Sequence, residues 1–355
     1  MPNLTDNKSP SSPPVEKNAE GMEKKNVLVT GGAGFIGSFL CEKLLADSRV
    51  ICLDNFTTSQ ESNIDHLLQN GDFEFIRQDI NAPFDLEAFP ELARFKLKFQ
   101  GIQEIYHLAC PTSPKKFDQF KMQTLLANSL GMKNALDLAV KYGAKFLLSS
   151  TSVVYGSRPA DGHAFVETEF GAVDMLSPRS CYDEGRRFAE TCVATYNQVH
   201  GVDVRIARVF RTYGPRMMLF DGQMIPDFIT NALDNQDLVI YGDETFRTSL
   251  TYVSDVVDGL IKLMGAPKGI GPVNIGSDLE VPLVDVAQRI IEMTGSTSRI
   301  TFQPPLLFMT PLGIPSLAKA KDQLGWLPLV TVDSGLKQTI DYTIAHKGLL
   351  GFKTT

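Results

Sequence analysis

Tyr182 and Arg186 stand four residues apart in the segment Ser180-Cys181-Tyr182-Asp183-Glu184-Gly185-Arg186. On a helix that spacing puts both side chains on one face. A fixed cation beside a phenol favours its phenolate form. Such a phenolate can take the proton of an alcohol while a hydride leaves the same carbon. Upstream, Phe146-Leu147-Leu148-Ser149 reads as a strand that delivers Ser150, Thr151 and Ser152 at its C-terminal end. Their hydroxyls can hydrogen-bond a substrate hydroxyl or carbonyl. Each group also has a plain structural reading: an interfacial tyrosine beside a surface arginine, and hydroxyls that cap a turn.

A hydride needs a carrier, and residues 26–40 read as the place to hold one. The apolar run Val27-Leu28-Val29 meets glycines at Gly31, Gly34 and Gly37, and a helix-compatible segment follows from Phe35 and Ile36. Strand, glycine turn and helix in that order form the context of a dinucleotide fingerprint. Gly31 permits the tight turn, Gly34 lets the backbone approach a pyrophosphate, and Gly37 lets helix and strand pack closely. The next apolar run, Val50-Ile51-Cys52-Leu53, ends at Asp54, 17 residues past Gly37. A carboxylate there suits the ribose hydroxyls of NAD and repels the extra phosphate of NADP. Asn55 and Thr57 follow, and no arginine does. Gln78-Asp79-Ile80 ends a further strand and is placed to flank an adenine. Leu108 and Ala109 end another, where small residues permit close approach of the cofactor.

Composition narrows the remaining classes. The chain has 355 residues, 43% hydrophobic and 21% charged, with net charge −7 and five cysteines. That supports a sizeable core in one large domain or two smaller ones. No basic tract or aromatic-basic interleaving points to nucleic acid. The cysteines form no CxxC pair, no metal-ligand cluster stands out, and scattered thiols fit a reducing, cytoplasmic compartment. Residues 1–24 are rich in Ser, Pro, Asn, Lys and Glu and are expected to be disordered. They hold no apolar stretch of a signal peptide, and no apolar run is long enough to span a membrane.

The elements that must position these residues alternate. Strands are expected at 26–30, 49–53, 73–78, 103–108, 145–149 and 203–209. Helices are expected at 35–46, 60–70, 117–142, 181–200, 283–294 and 333–345. Alternation of this kind implies parallel βαβ units, an α/β chain with a doubly wound parallel sheet of Rossmann type. Residues 25–210 would hold the cofactor. From 211 to 350, prolines and glycines punctuate a smaller α/β lobe that would bind substrate, with later segments returning to the sheet.

Across residues 26–345 the chain resembles the extended short-chain dehydrogenase/reductases. Within them it is most similar to the UDP-glucuronate decarboxylase (UDP-xylose synthase) branch. The matching stretches are His107-Leu-Ala-Cys-Pro-Thr-Ser-Pro114, Ser150-Thr-Ser-Val-Val-Tyr-Gly156, Pro178-Arg-Ser-Cys-Tyr-Asp-Glu-Gly185, Tyr213-Gly-Pro-Arg-Met217, Asp221-Gly222, Tyr252-Val-Ser-Asp255 and Leu324-Gly-Trp326. The resemblance implies bound NAD, oxidation at C4 of a sugar, loss of CO₂ and re-reduction. It makes Tyr182 the base, Thr151 its hydrogen-bonding partner and Arg247 an arginine near the reacting carboxylate. It implies a homodimer built on the helices at 117–142 and 181–200. Ser113, Ser152, Arg211 and Arg216 are further candidate substrate contacts, the arginines for anionic groups.

Four positions depart from that pattern. Arg186 stands where the family has lysine, and a planar guanidinium places its charge differently. Val153 stands where the decarboxylases have glutamate, and valine does no acid–base work. Arg211 replaces an asparagine beside the diphosphate-sugar region. Near Gly313 a diphosphate-gripping arginine is missing, which should weaken binding of a UDP-sugar. The cofactor side is kept while the substrate side is altered. The expectation is therefore NAD-dependent hydride transfer on a nucleotide-linked or related anionic small molecule. True UDP-glucuronate decarboxylation and a non-catalytic NAD-binding scaffold are the alternatives.

Overall fold

The computed structural model describes residues 24–113, 116–304 and 312–346. The N-terminal segment expected to be disordered falls, all but Lys24, outside the described residues, as do Pro114 and Thr310-Pro311.

The first half of the chain winds β1 (Lys25–Thr30), α1 (Phe35–Leu44), β2 (Ser48–Asp54), β3 (Phe73–Arg77), α2 (Leu97–Gln100) and β4 (Glu104–His107). Next come α3 (Lys121–Ala127), α4 (Leu130–Tyr142), β5 (Lys145–Thr151), α5 (Ser180–His200) and β6 (Val204–Val209). The second half carries β7 (Thr212–Tyr213), α6 (Met224–Leu233), β8 (Leu238–Tyr241), β9 (Arg247–Ser249), β10 (Thr251–Tyr252) and α7 (Val253–Gly265). It ends with β11 (Pro272–Ile275), β12 (Glu280–Pro282), α8 (Leu283–Thr294), β13 (Ile300–Gln303), α9 (Ala318–Leu324) and α10 (Val332–His346).

Seven strands form one all-parallel sheet in the order β11-β6-β5-β4-β1-β2-β3. The doubly wound reading is therefore correct, and β11 is the late segment that returns to the sheet. β1, β2 and β5 are near-continuous apolar runs because helices cover both sheet faces. One core face collects Val27, Val29, Val50 and Cys52 with α1 and α7. The other collects Leu28, Ile51, Ile105 and Phe146 with α4 and α5. Strand order reverses between β1 and β4, and in open α/β sheets ligands sit beyond the strand C-termini at such a point.

Two expected helices differ from the reading of the sequence. Residues 60–70 form two short 3₁₀ turns, Glu61–Asn63 and Asp65–Leu67. Asn63 donates its side-chain amide to the Ala33 carbonyl (3.0 Å), which pins the segment to the glycine loop instead of letting a helix propagate. The helix expected at 117–142 is broken at Asn128-Ser129. Asn128 donates to the Thr124 carbonyl (2.8 Å) and Ser129 to the Leu125 carbonyl (2.9 Å), side chains competing with the backbone ladder.

Candidate active site

The glycine loop is built by close packing. Gly31 has φ of +73°, a left-handed conformation that favours glycine, and a Cβ there would lie 2.7 Å from the Ala109 nitrogen. A Cβ on Gly37 would collide with the Gly31 carbonyl and lie 2.8 Å from the Gly32 Cα. Gly34 meets only the Gly31 carbonyl, at 3.1 Å, and otherwise faces open space. The loop thus has one glycine for the turn, one for packing and one that leaves room above the start of α1.

That room is part of a cleft of about 330 Å³. Its walls come from the C-terminal ends of the central strands: Gly31 after β1, Asp54 and Asn55 at β2, Gln78, Asp79 and Ile80 after β3, and Leu108 and Ala109 after β4. Ser149, Ser150 and Thr151 of β5 and Val209-Phe210 at β6 complete the row. Gly34, Phe35, Ile36 and Gly37 form the floor at the start of α1, and Tyr182 and Arg186 enter from α5. Every position read from the sequence as cofactor-binding or catalytic therefore lines this one cleft.

Asp54 fastens the cleft wall. Its carboxylate accepts from the Ala33 backbone (3.1 Å), the Phe56 backbone (2.9 Å) and the Ser59 hydroxyl (2.7 Å). A carboxylate has about four acceptor positions, so one remains for a ligand hydroxyl. Thr151 caps the short 3₁₀ turn Ser152–Tyr155, accepting from the Val153 backbone at 3.4 Å. Val153 itself is buried.

Arg186 is buried, with its guanidinium 5.6 Å from the centre of the Tyr182 ring. Its Nε and one terminal nitrogen have no hydrogen-bond partner among the described residues. Buried donors of a charged group are costly when unpaired, so the cleft presents charge and hydrogen-bonding capacity to whatever fills it. Beside it, His107 is fully buried and bonds Thr30 Oγ1 through Nδ1 (2.8 Å). Burial and then the Arg186 charge push its pKa down to about 3, which keeps the ring neutral.

The residues read as substrate contacts separate. Ser113 lines the cleft and donates to an Asp221 carboxylate oxygen. Ser152 is buried just beneath it in the 3₁₀ turn and does not line it. Arg216 packs on the Phe39 ring (4.1 Å) and donates to Glu42 (2.6 Å), tying the loop after β7 to α1. Arg247 is half exposed and leans on Glu280, at 3.9 Å. Arg211 does not line the cleft, although Phe210 and Thr212 on either side of it do; its side chain meets the Met224 sulfur at 3.8 Å. Gly313 abuts Phe165, and a Cβ there would lie 2.6 Å from its ring. Missed from the sequence were Thr58, Ser59, Asn81, Gln123, Met218 and Gln223, which also line the cleft. They sit on loops and a short helix with no local motif to mark them.

The glycine cradle, the open position above Gly34 and the unpaired Arg186 donors fit a dinucleotide whose phosphates approach the start of α1. Comparison with known proteins agrees. The model of the NAD dependent epimerase/dehydratase family matches residues 27–276. UDP-glucuronic acid decarboxylase 1 of Arabidopsis thaliana is 40% identical over 321 residues, covering 90% of this chain and 70% of that one. UDP-glucuronic acid decarboxylase 1 of Xenopus tropicalis is 39% identical, covering 93% and 74%. Among solved structures, an epimerase of Methanothermobacter thermautotrophicus superposes with TM-score 0.80 at 27% identity, covering 92% of this chain and 94% of that one. A UDP-glucuronic acid 4-epimerase of Bacillus cereus, in complex with UDP-glucuronic acid and NAD, gives TM-score 0.78 at 26% identity, covering 90% and 99%. With the glycine loop, the Asp54 wall and the Tyr182–Arg186 pair gathered in one cleft of a seven-stranded parallel sheet, the chain belongs to the NAD dependent epimerase/dehydratase family.

Proposed function

We propose that this protein oxidises a hydroxyl of a nucleotide-linked sugar acid with NAD, and that Tyr182 takes the hydroxyl proton. The observation that carries this reading is that Thr151, Tyr182 and Arg186 line the same cleft as the glycine loop. NAD supplies the site that receives the hydride and can return it. The glycine loop would take its pyrophosphate, and Asp54 would accept from a ribose hydroxyl. Arg186 would donate to the ribose side with the atoms it leaves unpaired, while its charge favours the Tyr182 phenolate. Thr151 would hold the substrate oxygen against Tyr182.

The cleft narrows the choice of base. Among its described lining residues there is no histidine, lysine or glutamate. Asp221 accepts from Ser113, and Asp54 is engaged by three donors. Asp79 stands after β3 and accepts from the Asn81 backbone (2.9 Å), while Tyr182 is the titratable group that shares the cleft with Thr151 and Arg186 on the β5–α5 side. In this reading residues 25–210 with β11 hold the cofactor, and the segments after 210 that reach the cleft, including Thr212, Met217 and Gln223, close on the substrate.

The decarboxylases at about 40% identity favour UDP-glucuronate as the first substrate to test. Oxidation next to the carbon that bears the carboxylate makes a β-keto acid. Its ketone accepts the electron pair released as CO₂ departs, and no glutamate at position 153 is needed for that step. NAD-loaded protein is incubated with UDP-glucuronate while reduced nicotinamide, CO₂ and UDP-pentose are followed. Turnover is expected, and Tyr182→Phe should lower it by roughly 10²- to 10⁴-fold with NAD affinity unchanged. Unchanged turnover in Tyr182→Phe would remove the proposed base. Tight NAD binding with no reaction would leave a scaffold.

A further inference from the structure

We propose that Arg208 is a positioning residue of the cleft: by holding the Glu190 carboxylate it leaves the Arg186 guanidinium to the cofactor and Tyr182. The inference rests on the reading of Arg186 as the cation of the site, and it names what keeps that cation available.

Tyr182, Arg186 and Glu190 follow one another at intervals of four along α5, so they share one face of the helix. Arg186, in the middle, has a phenol one turn before it and a carboxylate one turn after it. An arginine and a glutamate at that spacing are neighbours that commonly pair. Among the described residues they do not pair here. Arg186 keeps two nitrogens without a partner, and the Glu190 carboxylate is engaged elsewhere. Arg208 grips it with a fork, Nε to one oxygen (3.1 Å) and Nη2 to the other (2.8 Å). Ser150 donates its hydroxyl to the first oxygen at 2.6 Å. A guanidinium fork on a carboxylate is among the stronger charge-assisted contacts. The remaining Arg208 nitrogen donates to the Glu167 carbonyl (3.1 Å), and the guanidinium lies 4.7 Å from the centre of the Tyr155 ring. Arg208 is thus held from three sides.

The sheet register brings these groups together. Ser150 of β5 and Arg208 of β6 are opposite one another on adjacent strands, and both side chains meet Glu190 of α5. The other nearby cations are committed to carbonyls: Arg187 to Val154 (2.9 Å) and Phe170 (2.8 Å), and Lys319 to Pro272 (2.7 Å). Ser150 lines the cleft, whereas Glu190 and Arg208 line a separate cavity of about 710 Å³. Arg208 therefore acts on the cleft through other residues. Without its charge, the cation nearest along α5 to Glu190 is Arg186. Pairing with Glu190 would draw the Arg186 guanidinium along the helix in the direction opposite to Tyr182.

The test reads the Kd for NAD by calorimetry on the full chain, with folding checked by circular dichroism. Arg208→Gln keeps an amide that can hydrogen-bond Glu190 but removes the charge. It should raise the Kd by about ten- to a hundredfold, the loss of a hydrogen bond from a charged group. Adding Glu190→Gln should bring the Kd back to within about twofold of the wild type, because no carboxylate then competes for Arg186. In an Arg186→Met background, Arg208→Gln should change the Kd by less than about twofold. An Arg208 that merely supports the fold would weaken NAD binding equally in both backgrounds, and that result overturns the proposal. An unchanged Kd in Arg208→Gln, or no recovery on adding Glu190→Gln, also overturns it. Should Arg208→Gln not fold, Glu190→Gln alone decides. A Kd within about twofold of the wild type supports the proposal, and a tenfold loss overturns it, since Arg186 would then depend on the Glu190 charge. If Arg186→Met itself leaves the Kd unchanged, the reading of Arg186 as the cofactor's cation fails and the role of Arg208 with it. A loss in Arg186→Met with none in Arg208→Gln ends the role of Arg208 alone.

Discussion

At the scale of single residues, the three glycines of the first loop do different work, and the difference is measurable. A methyl at Gly37 collides with the Gly31 backbone, and backbone cannot step aside as a side chain can. Gly37→Ala should therefore destabilise the apo-protein by about 2 kcal/mol or more, read from urea unfolding, since overpacking commonly costs ~1–3 kcal/mol. A methyl at Gly34 meets one carbonyl at 3.1 Å and otherwise points into the cleft. Gly34→Ala should leave unfolding within about 1 kcal/mol while raising the Kd for NAD at least tenfold. The two effects exchanged between the two variants would contradict the roles given to them. Those roles were legible in the sequence because they depend on a local run of strand, turn and helix. The surroundings of Arg211 and Arg216 were not. An isolated arginine carries no sign of its partner, and only folding shows that Arg216 is taken by Glu42 while Arg211 meets the Met224 sulfur and, among the described residues, no carboxylate.

At the scale of elements, the strands were readable because burial on both faces demands continuous apolar runs, as in Val27-Leu28-Val29 and Phe146-Leu147-Leu148. β11 was missed because Pro272-Val273-Asn274-Ile275 is short and broken by an asparagine. Asn274 earns its buried place through bonds made far away in sequence, accepting from Tyr155 (2.7 Å) and donating to the Phe165 carbonyl (2.9 Å). β4 and β1 are joined by a polar contact of the same buried kind, His107 to Thr30. It carries a pH dependence whose sign follows from the pKa. The folded-state value, about 3, lies below the ordinary histidine value of 6.5. The unfolded chain thus binds the proton more readily, and stability is full above about pH 6.5 and falls as pH drops towards 3. Between pH 6.5 and pH 5 one such histidine removes roughly 2 kcal/mol, at about 1.36 kcal/mol per pH unit. His107→Asn, which keeps a partner for Thr30, should show a correspondingly flatter unfolding free energy across that interval. Parallel slopes in wild type and variant would mean that His107 is not the group responsible.

At the scale of the whole molecule, the helices beside the cleft also carry exposed apolar groups. α3 and α5 pack against each other, yet each leaves large apolar groups open: Met122 is 62% exposed, Phe188 51% and Val199 68%. Phe188 and Val199 are eleven residues apart, about three helical turns, so they face the same side of α5. Contiguous apolar faces on helices commonly mark association sites. A two-fold pairing of α3 and α5 with their copies would bury the same patch twice, as a self-complementary interface requires. Such a pairing would bear on catalysis, because α5 also carries Tyr182 and Arg186, and holding its outer face fixed would hold their positions in the cleft. The wild type is therefore expected to sediment as a dimer at micromolar concentration. Met122→Glu with Phe188→Glu should shift it to monomer with its circular dichroism unchanged. A wild type that stays monomeric at every concentration, or a charged variant that stays dimeric, would place the interface elsewhere or remove it. If the dimer forms and the variant dissociates, NAD should still bind, though more weakly as Arg186 shifts with α5, because the glycine loop and Asp54 lie on the other side of the sheet's switch point from α5, while turnover should fall further as Tyr182 loses its support.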